Sequence, residues 1–125
     1  MDEQEFSNSS IQESLLHYKE GLGYFSEQMP DVASKYQAFT EACFHPGKLS
    51  AKEKQMIALG ISLYAQDEYC IIYHVNGCLE QGASREEILE AIAVTGAFGG
   101  GGTMSQAVTL VEECLMELSG DNLTS

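Results

Sequence analysis

The sequence is short of positive charge: six Lys and Arg stand against nineteen Asp and Glu, for a formal net charge of -13. That balance repels phosphate backbones and anionic lipid, so neither nucleic acid nor a membrane surface is an expected partner. Long apolar runs are missing as well, and no stretch approaches the ~20 residues that a spanning helix needs. The opening Met1-Asp2-Glu3-Gln4-Glu5 is acidic where a secretory signal is basic. A cytoplasmic protein is the expectation. Segments that alternate polar and apolar residues are absent too, which argues against strands.

What is present fits one helical domain spanning 1–125. A chain of 125 residues can build one core but hardly two, and 44% hydrophobic content is too high for a disordered chain. Four Ser or Thr residues are followed three positions later by Glu or Gln: Ser10 to Glu13, Ser50 to Glu53, Ser84 to Glu87 and Thr103 to Gln106. Each pair reads as a capping box that satisfies orphan amides at a helix start. Stops are visible at Pro30, His45-Pro46-Gly47, Gly82 and the run Gly99 to Gly102. The expected fold is all-α, with about six helices at 10–28, 31–44, 51–65, 68–81, 85–98 and 103–118. Gly21 and Gly23 are expected to weaken the first, and residues 1–8 and 119–125 to be flexible.

Two helices are apolar nearly all round. Met56, Ile57, Leu59, Ile61 and Leu63 cover most of one, and Ile88, Leu89, Ile92, Val94 and Phe98 most of the other. A small domain cannot enclose both alone, so a homo-oligomer is expected.

Chemistry is concentrated in Asp67-Glu68-Tyr69-Cys70-Ile71-Ile72-Tyr73-His74. Cys70 falls in the first turn of a helix with Asp67 as the N-cap, and His74 falls one turn further along the same face. A helix N-terminus favours a thiolate, whereas the Asp67 carboxylate opposes one. The expected balance is a thiol near its ordinary pKa. Cys43, Cys78 and Cys114 are expected to be reduced, and Cys78 lies two turns along the same helix, about 12 Å away on its axis and beyond disulfide reach. A metal site on Cys70, His74 and Cys78 is not expected, because one helix offers an ion two ligands comfortably rather than three. Tyr69 and Tyr73 flank the site as packing groups with available hydroxyls. His17 and His45 carry no spacing signal. The glycine run reads either as a close helix crossing or as an anion cradle, and the lack of a flanking Lys or Arg favours the crossing.

Residues 49–59, 68–75 and 82–88, with those of 68–75 centred on Tyr69-Cys70-Ile71-Ile72-Tyr73-His74, resemble the carboxymuconolactone decarboxylase family and its alkylhydroperoxidase D (AhpD-like) branch. The resemblance covers about 46–118. It implies an all-helical fold in trimers or hexamers, no cofactor, and either peroxiredoxin-type antioxidant activity or decarboxylation of a muconolactone-type acid. The peroxidase branch carries Cys-x-x-Cys-x-x-x-His with an upstream Glu. Carried over residue by residue, the second Cys is Cys70 and the His is His74. The first Cys is replaced by Asp67 and the Glu by Gln55, so the vicinal disulfide cannot form and one proton carrier is a neutral amide. The leading expectation is a single-cysteine oxidoreductase: Cys70 and His74 act on small hydroperoxides, Gln55, Asp67, Tyr69 and Tyr73 are site neighbours, and an external thiol is the reductant. The alternatives are a cofactor-free decarboxylase-like enzyme working through His74 on a small lactone acid, and a non-catalytic oligomeric relative.

Overall fold

The computed structural model describes residues 3–118, with side chains from Ser10 onward. The chain runs through α1 (Glu3–Gln28), α2 (Pro30–Phe44), α3 (Ala51–Ala65), α4 (Glu68–Glu80), α5 (Arg85–Gln106), one π-helical turn (Ala107–Val111) and α6 (Glu112–Leu118). Among the described residues there is no strand, and the fold is all-α as expected. The last two helices and the π turn follow one another without a loop, so the described residues form five helical bodies rather than six. Of the ends expected to be flexible, residues 1–2 and 119–125 lie outside the described residues.

Two of the four capping boxes form. Ser50 accepts from the Glu53 amide at 3.0 Å while the Glu53 carboxylate accepts from the Ser50 amide at 2.8 Å. Ser84 and Glu87 repeat the arrangement at 3.0 and 2.9 Å. The other two do not cap, because their Ser or Thr is already inside a helix: Ser10 lies within α1 and Thr103 within α5. A capping box is a local pattern, and it cannot report whether the backbone upstream has already begun to coil. Gly21 and Gly23 do not break α1, which is continuous through both. The glycine run does interrupt α5, at one residue: Gly100 has φ 66° and ψ -143°, outside helical geometry. Gly82, with φ 86°, makes the turn between α4 and α5.

Leu59 and Leu63 of α3, Ile71, Val75 and Cys78 of α4, and Ile88 of α5 are all 0% exposed and form the centre of the core. Val111, Cys114 and Leu115 close one side, and Ile11 of α1 completes it. The α2 helix has no buried residue and lies against α1. Much apolar surface is left open: Ile57, Ile61 and Tyr64 form an exposed stripe on α3, and Val94 and Phe98 do so on α5, with Phe98 82% exposed. Leu59→Ala removes a fully enclosed side chain and is expected to lower unfolding stability by about 2–5 kcal/mol in urea titration at fixed protein concentration. A loss below about 1 kcal/mol would place Leu59 outside the core.

Candidate functional site

The first turn of α4 is built by its own cap. Asp67 is exposed and extended, and its carboxylate accepts from the Cys70 amide at 3.1 Å. Cys70 is only partly exposed. Burial first, then the charge and hydrogen-bonding capacity of the adjacent Asp67 carboxylate, push the thiol above its ordinary pKa. The expected balance at Cys70 is thereby corrected: burial and the anion together outweigh the helix terminus, and the resting group is a thiol.

His74 sits one turn further along, among different neighbours. Its Nδ1 lies 2.9 Å from Oε1 of Gln55 on α3. A carbonyl oxygen only accepts, so this contact is a hydrogen bond in the tautomer that carries its proton on Nδ1 and leaves Nε2 bare. The ring stacks on Phe44 with centroids 5.8 Å apart and planes 7° from parallel, and Tyr73 meets it edge-on at 5.2 Å. Burial lowers its pKa below the ordinary 6.5, so the imidazole is neutral at physiological pH. Among the described residues no hydrogen bond joins Cys70 to His74. The structure thus pairs Gln55 with His74 and Asp67 with Cys70, two half-sites on neighbouring turns.

An aromatic wall from α1 covers them. Tyr18 stacks on Tyr69 with centroids at 6.0 Å and meets Tyr73 edge-on at 5.4 Å. His17 Nδ1 lies 3.2 Å from the Tyr69 hydroxyl. The Tyr18 pKa is raised by burial first and next by Cys70, which places its hydroxyl in the field of the thiol. Tyr18, His17 and Phe44 carried no spacing signal; they reach the site only because α1 and the end of α2 fold back over α4.

The other thiols are set apart. Cys43 is exposed, and Cys78 and Cys114 are buried, with burial pushing Cys78 up to about 11 and Cys114 to about 12. Among the described residues no group of three His, Cys, Asp or Glu is placed to hold a metal ion. The glycine run turns out to be a seat for α3. A Cβ at Gly102 would lie 2.5 Å from Nε2 of Gln66, and one at Gly99 would lie 3.2 Å from the Tyr64 ring. Gln66 has φ 59°, left-handed for a non-glycine residue, and immediately precedes Asp67. The glycine run thus lies close against Tyr64 and Gln66, just ahead of the residue that caps α4.

The sequence profile of the carboxymuconolactone decarboxylase family matches residues 30–113. The chain belongs to that family. An uncharacterised protein of the cox locus of Paracoccus denitrificans is 31% identical over 69% of this chain and 78% of its own length. One from Cupriavidus necator is 25% identical over 74% of this chain and 82% of its own length. A family crystal structure from Legionella pneumophila superimposes with a TM-score of 0.79 at 25% identity, covering 87% of this chain and 94% of that one. Another family structure, from Thermotoga maritima, gives 0.74 at 26%, covering 88% and 96%; its description gives that protein a possible involvement in antioxidative response.

Two pH dependences follow for this family member. His74 is expected to titrate below 6.5 in an NMR titration. Because the unfolded chain then binds that proton more readily than the folded one, stability falls as pH drops through this range. Cys70, followed by site-resolved alkylation, is expected to show a midpoint above the ordinary 9.0, and Asp67→Asn is expected to bring it down. A midpoint unchanged by Asp67→Asn would mean that burial alone sets it.

Proposed function

We propose that the chain is a thiol-dependent hydroperoxide reductase of the one-cysteine kind, working in the cytoplasm, where thiols stay reduced. The supporting observation is a partly exposed thiol in the first turn of α4, one turn before a neutral histidine whose Nε2 is a free acceptor. The possible antioxidative role attached to the Thermotoga relative points the same way. Cys70 Sγ attacks one oxygen of a small hydroperoxide, the O–O bond breaks, sulfur is oxidised to a sulfenic acid and the peroxide is reduced to an alcohol or water. The thiol proton passes to His74 Nε2 and from there to the leaving oxygen. One external thiol then displaces water from the sulfenic acid to give a mixed disulfide, and a second releases Cys70 and leaves as the oxidised dithiol.

The raised thiol pKa makes this a slow reductant at neutral pH, with a rate that climbs as pH rises through the ordinary thiol range. With hydrogen peroxide or an alkyl hydroperoxide and dithiothreitol, Cys70→Ser is expected to abolish turnover and His74→Ala to reduce it about 100-fold or more. Full turnover in Cys70→Ser sinks the reading.

A second reading has its own observation. The His74–Gln55 pair is complete without Cys70, as a cofactor-free decarboxylation or isomerisation of a small lactone acid would require. There the outcomes reverse: Cys70→Ser leaves lactone turnover intact and His74→Ala removes it.

On either reading the working unit is a homo-oligomer, a trimer or a hexamer, supported by the exposed apolar stripes on α3 and α5. Sedimentation equilibrium is expected to give a multiple of the 13.6 kDa chain, and Phe98→Glu to shift the distribution toward smaller species. A monomer at all concentrations refutes it.

A further inference from the structure

The helix that carries Cys70 and His74 has one glycine in its interior, Gly77, where no turn or positive φ requires it. Intrinsic propensity disfavours glycine there relative to alanine. Its surroundings supply a reason. A Cβ built on Gly77 would fall on the Gln55 amide: it would be 2.6 Å from Cδ, 3.2 Å from Nε2, and nearest of all to Oε1. Gln55 Oε1 is also the atom that accepts from His74 Nδ1. Residue 77 is three positions beyond His74 and so lies on the same face of α4, one turn along. The amide of Gln55 therefore crosses α4 over the bare Cα of Gly77 to reach the imidazole.

We infer that Gly77 is a positioning residue: by leaving out a side chain, it seats the Gln55 amide against His74 and fixes the Nδ1-protonated tautomer, which keeps Nε2 free to accept a proton. The inference deepens the proposed proton-transfer role of His74 and rests on it for its functional meaning, but the tautomer itself is a property of the resting protein. The three atoms nearest a methyl group at 77 all belong to one flexible side chain, the amide holding His74. The displacement is sterically easy, so the effect falls on the histidine more than on the fold. Once released, a neutral imidazole returns to the Nε2-protonated form that free histidine side chains prefer. In that form the nitrogen opposite Gln55 is a donor, unable to take the thiol proton. Gly21 provides a contrast, since a Cβ there meets nothing within 4 Å.

The test is the tautomer of His74, read from imidazole ¹⁵N shifts at neutral pH without substrate, in wild type, Gly77→Ala, Gln55→Ala, the double variant and Gly21→Ala. Wild type and Gly21→Ala are expected to hold the Nδ1-protonated form, and Gly77→Ala to move toward the Nε2-protonated form shown by Gln55→Ala. The double variant is expected to match Gln55→Ala, because the atoms that a methyl at 77 would strike first are gone with the amide. If Gly77→Ala keeps the wild-type tautomer, or adds a further change on top of Gln55→Ala, the inference is overturned. Should Gly77→Ala fold poorly, Gln55→Ala must restore folding in the double variant; failure to do so also overturns it. None of these readouts depends on turnover, so a peroxidase assay that fails leaves the tautomer result standing, and the reverse.

Discussion

The position of α3 between α4 and α5 is the constraint from which the rest of the molecule follows. Its buried edge, Leu59 and Leu63, meets the core faces of both neighbours. Closeness on both sides is bought with small residues: a Cβ at Gly60 would lie 2.8 Å from Thr95 Oγ1, one at Gly102 would lie 2.5 Å from Gln66, and one at Gly77 would strike Gln55. Side chains of α3 and its C-terminal cap thus lie across the backbones of α4 and α5. Two of them govern the site directly. Gln55 reaches His74, and Gln66, seated on Gly102, sets the path into Asp67 and the first turn of α4. The face of α4 that carries Cys70 and His74 is therefore held from behind by α3, with α1 contributing the aromatic cover.

At Cys70 three electrostatic effects compete. The helix terminus, with its partial positive charge, favours the thiolate by something like 0.3–1 kcal/mol at an exposed position. Desolvation opposes it, and so does a full negative charge in hydrogen-bond contact. Desolvation is the larger of the two opposing effects, and the carboxylate adds a whole charge to it, so the thiol form prevails. Asp67 has a second task that explains its tolerance at this spot: it supplies the cap that the orphan Cys70 amide needs. The capping function and thiol activation draw on one side chain in opposite directions.

The parts of this arrangement that are local in sequence were legible there. The two true capping boxes, the N-cap at Asp67, the spacing of Cys70 and His74 and the apolar faces of α3 and α5 all follow from neighbours within a turn or two. The carry-over onto Gln55 came from the family pattern, not from spacing, and the contact it makes with His74 joins helices nineteen residues apart. Phe44, Tyr18 and His17 were illegible, because their contribution depends on how α1 and α2 return across α4. The glycine run was read as a crossing for the wrong detail: the chain kinks at Gly100 alone, while Gly99 and Gly102 act as seats. Gly77 raised no signal at all, since a glycine whose purpose is to be missing a side chain resembles any other helix-weakening glycine until its neighbour is seen.

Had position 55 been the glutamate that the family resemblance implies, more than one pKa would differ. A carboxylate beside His74 would attract a proton onto the imidazole and could carry that proton away; an amide can do neither, but it distinguishes donor from acceptor. With Gln55 Oε1 on Nδ1, the site exchanges a mobile proton for a fixed tautomer. Burial adds to this by keeping the ring neutral. On the proposed reading, a pair of ionisable groups gives way to a single oriented base, and the Cys70 thiol is held protonated by burial and a separate carboxylate. Under that reading substrate has to bridge the two halves, because among the described residues no hydrogen bond joins Cys70 to His74. A small hydroperoxide would meet that requirement, with one oxygen for sulfur and the adjacent one for Nε2.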